Sequence, residues 1–329
     1  MVTDPPPIVG VSTSTAGFAG GAGAGADPPA LVTSVAEFEG LGDAVPAALG
    51  RMVRGFFVNG GARAYVAGTL AALETVDEIA LLCPLPEQNG EAIAQCERRR
   101  DRVAILSLPA ALGSVGEVLA ARPSETSAFG AVHYPWVRAG GELTPPGGHV
   151  AGVYASGEVS RSPSGIEIRG LDDSPVERSL PSSEIAALVA GGVNSLRDFR
   201  AFGRGVRIWG ARTLDPDRER RYLPVQRLLI FLQTSIARGL PWVGSECNGE
   251  PLWARVREAV GTFLMDQWRA GRLPGRGPNE AFFVRCDQST MTQQDLDEGR
   301  LVCLIGVATL RPAEFVIFRI GQFTAGRCD

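Results

Sequence analysis

The chain has 329 residues, 45% of them hydrophobic and 21% charged, which is typical of a folded globular protein with room for two or three domains. Its 32 basic and 36 acidic side chains leave a formal net charge of −4, too small a bias to predict nucleic acid or an anionic membrane as a partner. Neither a basic segment followed by an apolar run at the start nor a long apolar stretch is present, so we expect no signal peptide, no spanning helix and a cytosolic protein.

The chain opens with a proline tail and a glycine-rich loop. Residues 1–7 (MVTDPPP) cannot form a regular element, because three prolines remove N–H donors, and residues 8–18 are predicted to be a strand. Residues 17–25 (GFAGGAGAG) lack the Lys-Ser/Thr pair and the following helix of a phosphate-binding loop. We therefore expect a flexible surface loop there.

The next hundred residues alternate between strand-like and helix-like patterns, and the later ones predict a doubly wound segment. Ser34, with Glu37 three residues later, predicts a capping box. The predicted strands are residues 31–34, 62–67, 79–83, 103–108 and 128–134. The predicted helices are residues 44–59, 89–100 and 112–121.

The basic run CERRRDR (residues 96–102) ends one of these helices. Cations at a helix C-terminus complement the helix dipole, and no aromatic residues are interleaved for base stacking. This pattern favours a solvated or salt-bridged helix end over a nucleic-acid site.

Groups that could carry chemistry are sparse. His133 lies in a strand-like run and His149 in a Pro/Gly loop, and neither has an acidic residue beside it in the sequence. A structural role is therefore favoured for both. The alternative that either belongs to a catalytic triad formed by residues distant in sequence stays open. The six cysteines include no CxxC pair, so no metal site is predicted, and Cys83, Cys286 and Cys303 are expected to be buried free thiols. Two acidic groups are predicted to be solvated loops rather than a general acid/base pair: Asp172, Asp173 and Glu177, and Asp215, Asp217 and Glu219.

Residues 138–204 are rich in Gly, Pro and Ser and are predicted to be loops around short strands, with one helix at 181–192 capped by Ser182 or Ser183. Residues 205–322 then form an α+β unit. Its predicted strands are residues 206–214, 282–286, 301–310 and 312–322. Two helical apolar faces lie between them: Leu228, Leu229, Leu232 and Ile236, and Val256, Val260, Phe263, Leu264 and Trp268.

Several of these segments resemble contractile tail sheath proteins, the outer sleeve of contractile phage tails and of phage-tail-like injection systems. In the C-terminal part they are GVRIWGARTL, EPLWARVREAVGTFL, EAFFVRCDQSTMTQQDLDEGRL and PAEFVIFRI. Upstream, IVGVSTSTAGFAG, LVTSVAEFEGLGD, VRGFFVNGGARAYV, CERRRDRVAIL and YPWVR…GELTPPGGHVAGVYA follow in the family's order. The resemblance therefore covers nearly the whole chain.

The resemblance implies an α+β fold with an α/β-like segment: a tail-sheath core made from N- and C-terminal parts, with mixed sheets, flanking helices and a C-terminal strand-exchange arm. It implies a short N-terminal arm and Gly-rich loop (1–30), an N-terminal sheath domain (31–204) whose loop-rich outer part is residues 138–204, a C-terminal sheath domain (205–322) and a tail (323–329).

Two segments are expected to join neighbouring subunits by strand exchange, since an apolar strand near a chain end is an exposed edge unless another chain pairs with it. The alternative that the second segment pairs only within its own sheet stays open. The sheath family's N-terminal PGVYVEE-like strand is missing or reduced here to the proline tail. The residues expected to exchange are Ile8, Val9, Val11, Phe315, Val316, Ile317, Phe318 and Ile320.

A helix at residues 250–270 is expected, by resemblance, to face an inner tube through charged contacts, with an ordinary solvated face as the equal alternative. Its candidate residues are Arg255, Arg257, Glu258, Asp266 and Arg269.

The resemblance predicts a structural, non-enzymatic subunit without catalytic, cofactor or metal residues. Copies would form sixfold rings, stack helically around an inner tube protein, contact baseplate and cap proteins, and contract to drive the tube through a target envelope. Neither direct nucleic-acid binding nor membrane insertion is expected. The assembly would form in the cytoplasm, as part of a particle that is released or membrane-anchored. The alternatives are a sheath-like terminator or baseplate-proximal adaptor, and a doubly wound enzyme using residues near His133 or Cys83.

Overall fold

The computed structural model of the chain describes residues 4–20, 28–42, 45–309 and 314–326. These residues form two compact units, one of residues 12–227 and one of residues 4–11 with 228–326. Residues 21–25 of the predicted Gly-rich loop and residues 310–312, where two predicted strands meet, lie outside the described ranges. The mixed α/β fold class is as predicted.

The strands of the described residues are β1 (Ala16–Ala19), β2 (Ala30–Val32), β3 (Ala64–Ala67), β4 (Leu81–Cys83), β5 (Val103–Ser107), β6 (Gly130–Tyr134), β7 (Val137–Ala139), β8 (Glu142–Thr144), β9 (Val193–Asp198), β10 (Val206–Trp209), β11 (Phe282–Arg285), β12 (Arg300–Ala308) and β13 (Phe315–Phe323).

The α-helices are α1 (Val35–Glu39), α2 (Ala47–Val58), α3 (Leu70–Glu74), α4 (Asn89–Arg99), α5 (Val115–Ala120), α6 (Gly147–Ser156), α7 (Ser182–Ala190), α8 (Leu223–Gly239), α9 (Glu250–Arg269), α10 (Pro278–Ala281) and α11 (Gln293–Asp297).

The first unit is built on an eight-stranded sheet in the order β10-β9-β6-β5-β4-β1-β3-β2. Its six inner strands run parallel, and β2 and β10 pair antiparallel at the two edges. Every residue of β4, β5 and β6 is buried, as expected of parallel strands covered on both faces. The doubly wound segment predicted from the sequence is therefore present.

Helices α2 and α6 cross at very short distance through glycines. A Cβ added to Gly148 would fall 2.0 Å from the carbonyl oxygen of Met52, and one added to Gly152 would fall 2.3 Å from that of Phe56. Only glycine permits this approach, because any side chain would overlap the facing backbone. The sequence pattern predicted a loop here, since glycine weakens isolated helices, but burial of α6 against α2 outweighs that preference.

The second unit contains the antiparallel sheet β11-β12-β13. Leu301, Cys303, Ile305 and Val307 of β12 are fully buried on one face of this sheet. Helix α9 supplies a buried stripe of Leu252, Val256, Val260, Phe263 and Leu264. The described parts of the strands predicted at 282–286, 301–310 and 312–322 agree with β11, β12 and β13 within a few residues.

Some local predictions were wrong. The predicted strand at residues 8–18 is present only from Ala16, because residues 8–15 have no strand partner. Ser34 caps α1 as predicted, but the Glu37 carboxylate accepts from Thr33 rather than from Ser34. Helix α7 begins after Pro181 without a side-chain cap, and the strand predicted at 206–214 ends at Trp209.

Candidate assembly surfaces

Strand β13 lies at an edge of its sheet. Among the described residues only β12 pairs with it, through nine residue pairs that run from Arg300↔Phe323 to Ala308↔Phe315. The alternative that this segment pairs within its own sheet is therefore observed in the single chain. The opposite side of the strand leaves backbone groups available to another chain, which is the feature that strand addition requires.

The side chains of β13 alternate between the two faces of the sheet. Val316, Phe318 and Ile320 stand opposite the buried β12 residues Val307, Ile305 and Cys303, so they share the inner face. Phe315, Ile317 and Phe323 share the outer face, where Ile317 is 56% exposed and Phe323 is 70% exposed. Phe323 lies one residue beyond the predicted end of the strand, although the period-two pattern from Phe315 onward could have included it.

The end of β13 is anchored rather than loose. Thr324 N–H donates to the Gly299 carbonyl at 2.8 Å, and Ala325 N–H donates to the Glu246 carbonyl at 2.9 Å. Asn248 N–H donates to the Gly326 carbonyl at 2.7 Å. Through residue 326, the end of β13 is therefore held by backbone hydrogen bonds within its own unit.

The N-terminal segment lies along helix α8 within the second unit. Val11 N–H donates to Ser235 Oγ at 3.0 Å, and a Cβ added to Gly239 would fall 2.7 Å from the Ile8 side chain. Between these contacts Val9 points away and is 76% exposed. Of the three N-terminal residues expected to exchange, Ile8 and Val11 therefore pack internally and Val9 does not.

The five charged candidates on α9 fall into two groups. Arg255 forms an ion pair with Glu246 at 2.9 Å and lies over the Trp242 ring at 4.7 Å from its centroid. Arg257 pairs with Glu250 at 2.8 Å and also donates to the Cys286 carbonyl. Both guanidinium groups therefore hold the second unit together and are only partly available to a partner.

Glu258, Asp266 and Arg269 form the other group, on the exposed stripe of the same helix. Asp266 and Arg269 are 3.7 Å apart with both side chains more than half exposed, a pair that water screens strongly. We call Glu258, Asp266 and Arg269 the exposed α9 stripe. These side chains can bind a charged partner surface without breaking contacts as strong as those of Arg255 and Arg257.

The residues named for an enzymatic alternative are buried. His133 is fully buried on β6 and His149 is 2% exposed on α6, and burial lowers the pKa of each to about 4, so both rings are neutral at pH 7. Cys83 is also fully buried, and burial raises the pKa of its thiol far above the usual value. His133 and Cys83 are therefore closed to a solvent-borne substrate, whereas His149 lines an open groove beside α2.

The acidic groups predicted in loops bind backbone N–H groups. Asp172 accepts from Gly140 and Gly141 at 3.0 and 2.8 Å, and Glu177 accepts from Ala111 at 2.6 Å. The Asp215 carboxylate accepts from the Asp217 N–H at 2.9 Å. These contacts stabilise turns.

An open groove of about 1090 Å³ lies in the first unit, beside α2. Its two arginines are engaged: Arg51 donates to Thr144 Oγ1 and to the Leu143 carbonyl, and Arg54 pairs with Glu39 at 3.0 Å. Over the described ranges no three His, Cys, Asp or Glu side chains gather as metal ligands would. None of the helices described there combines the length and apolarity needed to span a bilayer.

No protein-family model and no curated protein matches the chain. Solved structures do match along almost its whole length. The sheath complex of an extracellular contractile injection system, PVC, in its contracted state is 27% identical with a TM-score of 0.82, covering 99% of this chain and 96% of that one. The contracted helical sheath of the anti-feeding prophage (AFP) is 28% identical with a TM-score of 0.76, covering 98% of each chain.

A sheath tail protein from Desulfitobacterium hafniense shares the fold at 10% identity, with a TM-score of 0.70 over 98% of this chain and 99% of that one. The resemblance to contractile sheath proteins and the predicted fold are therefore confirmed. A structural role is favoured over the enzymatic alternative.

Proposed function

We propose that the chain is a structural subunit of the contractile sheath of a phage-tail-like injection system, and that the particle acts outside the cell that makes it. The observation that carries this proposal is the similarity to the PVC and AFP sheath chains over 98–99% of the chain. The AFP baseplate also contains a similar chain, at 26% identity, which supports a place next to a baseplate.

Copies of the chain would join at the free edge of β13. An extended segment of a neighbouring copy would hydrogen-bond along this edge and cover Ile317 and Phe323 on the outer face. The candidate donor is the N-terminal segment at residues 4–11, which has no strand partner of its own and exposes Val9. To pair with a neighbour, Ile8 and Val11 would have to leave their contacts with α8. A contact in which one patch binds a different patch of the next copy propagates into stacked rings or a helix.

The inner tube would lie against the exposed α9 stripe, and the sixfold rings would stack around it. Contraction would be a switch between two sets of lattice contacts that differ by a few kcal/mol per subunit, summed over many copies. Strand addition suits this mechanism, because backbone hydrogen bonds keep the joint closed while the subunits rotate. Such a mechanism stores its energy in the lattice.

Negative-stain electron microscopy of the protein expressed alone, and together with its tube protein, tests the proposal. We expect hollow cylinders with helical striations, longer when the tube protein is present. Monomers or single rings in both preparations would overturn a self-propagating sheath, and single rings that bind baseplate components would identify an adaptor. A small closed oligomer that turns over a substrate would identify an enzyme.

A further inference from the structure

Two cysteines face each other across strands β11 and β12. The register pairs Val284 with Ile305 and Arg285 with Leu304, and one further step places Cys286 opposite Cys303. Directly opposed residues of an antiparallel pair have Cα atoms about 4.5 or 5.5 Å apart, and both values fall within the range of about 4.4–6.8 Å that a disulfide spans. Both thiols are free and fully buried.

Neighbouring contacts hold the two cysteines in this arrangement. Arg257 donates to the Cys286 carbonyl, and Thr290 Oγ1 donates to the carbonyl of Val302 at 2.7 Å. Hydrogen bonding with Cys286, together with burial, raises the pKa of Cys303 well above the usual value. A buried thiol with a raised pKa reacts slowly. In a reducing cytosol, the glutathione and thioredoxin systems keep such thiols reduced.

We propose that Cys286 and Cys303 form a cross-strand disulfide when the protein meets an oxidising environment. The oxidant is a low-molecular-weight disulfide such as oxidised glutathione. The Cys286 thiolate attacks one sulfur of the oxidant and releases one glutathione; the Cys303 thiolate then attacks the Cys286 sulfur and releases the second. Two thiols are oxidised to one disulfide, and their two protons pass to the two glutathione thiolates, so one glutathione disulfide is reduced to two glutathione molecules.

The position of Cys286 gives the oxidant a route to the pair. Cys286 directly follows β11, a four-residue edge strand whose last residue, Arg285, is exposed. A short edge strand opens locally at lower free energy than the centre of a sheet, so access requires only this opening. The bond would fasten β11 to β12, the strand that carries the proposed docking edge of β13. The expectation that the disulfide forms when the particle is released rests on the proposed function. The expectation that Cys286 and Cys303 can form it does not.

Cysteines 83 and 96 provide an internal comparison. Both are fully buried, but one ends a strand and the other lies on a helix. No strand register brings them opposite each other, so we expect them to remain thiols.

The test uses full-length protein carrying Cys247→Ser and Cys328→Ser, which leaves cysteines 83, 96, 286 and 303. The protein is incubated with oxidised glutathione in native buffer and in urea below the unfolding transition, then denatured for thiol counting. Trypsin separates the pair, because cleavage after Arg285 and Arg300 gives peptides 286–300 and 301–319, the Arg311-Pro312 bond being resistant. Cys286→Ala and Cys303→Ala in the same background are the controls.

We expect two of the four thiols to disappear, a 286–300/301–319 cross-linked peptide, and a higher apparent melting temperature that reductant reverses. Neither alanine variant should show the cross-link or the shift. Four free thiols in both buffers, or a link between Cys83 and Cys96 instead, would overturn the inference. A cross-link in a protein that forms no cylinders would leave the inference intact and refute the proposed function.

Discussion

The ring of Phe283 on β11 lies directly against Gly306 on β12, its cross-strand partner. A Cβ added to Gly306 would fall 2.1 Å from Cε1 of that ring and 2.6 Å from Cζ. The same ring meets Phe315 of β13 edge to face, with centroids 5.2 Å apart. The glycine thus allows one aromatic side chain to reach across β12 and contact the proposed docking strand.

Replacing Gly306 with alanine should therefore destabilise the second unit. The added methyl group must displace the Phe283 ring, and overpacking of this kind costs about 1–3 kcal/mol. Urea unfolding followed by tryptophan fluorescence measures the loss. The control is Gly321→Ala on the adjacent strand, where the nearest atom to an added Cβ is 4.0 Å away. Equal stability of the two variants would contradict this account of the sheet.

Ile317→Lys should block assembly with little effect on folding. Ile317 is 56% exposed on the edge strand, so the free energy of unfolding should change by less than about 0.5 kcal/mol. A lysine on an edge strand opposes pairing with another chain, since its charge would have to be buried. Cylinder length by electron microscopy is the measurement, with Phe202→Lys, a 74% exposed site in the first unit, as the control. Cylinders of normal length from the Ile317 variant would exclude this edge as the joint.

Substitutions in the exposed α9 stripe should weaken binding to the tube protein without preventing self-assembly. Reversing Glu258 and Asp266 to lysine should weaken co-sedimentation with the tube protein by roughly tenfold, because charge complementarity is lost. Self-assembly should persist, since neither residue contributes to the β13 edge. Glu91→Lys on α4, an exposed acid in the other unit, is the matched control. If tube binding is unchanged, the stripe is a solvated face.

The buried histidines predict lower stability in acid. Burial lowers the pKa of His133 and His149 from 6.5 to about 4. Below pH 6.5 the unfolded chain therefore binds protons that the folded chain does not, and stability falls as pH decreases towards 4. From pH 7.5 to 5 the loss should be about 2 kcal/mol per histidine. Urea unfolding at both pH values measures it.

A variant separates this contribution from that of the carboxylates. His149→Gln carries no titrating ring, so its loss of stability between the two pH values should be smaller than that of the parent by about 2 kcal/mol. An unchanged difference between the two pH values would show that His149 is not held neutral in the fold.

The elements predicted correctly from the sequence are those in which the local hydrophobic pattern and the burial in the fold favour the same structure. Strands β4, β5 and β6 are short apolar runs, and α9 carries an apolar stripe at helical spacing, so local pattern and tertiary environment favour the same structure. Burial of Cys83, Cys286 and Cys303 followed from the same runs. The length and order of the matching segments made the family resemblance specific.

Elements that depend on distant partners were missed. Helix α6 contains Gly147, Gly148 and Gly152, which argue against a helix until α2 is placed against them. Strand β9 was predicted as part of a loop-rich region, although four of its six residues are buried beside β6. Residues 8–11 have a strand-like composition but lie along α8 within the second unit, where no described strand pairs with them.

The charged candidates on α9 show the same limit at the level of single side chains. Helical spacing placed Arg255 and Arg257 on the polar side of α9, but it could not show that Glu246 and Glu250 already pair with them. Which cation is available to a partner depends on ion pairs that only the folded chain reveals.

The large sheet of the first unit also has two edges, and each limits strand addition in a different way. Residues 165–168 bond to β10, with Ile168 N–H donating to Val206 O at 2.8 Å and Ile208 N–H donating to Ile166 O at 3.1 Å. At the opposite edge β2 has only three residues, Ala30–Val32. Within the described residues, the outer side of β13 is therefore the longest strand edge without a partner, so we expect pairing between newly made subunits, correct or incorrect, to begin there. We expect that copies can accumulate before assembly starts without aggregating through the edges of the larger sheet.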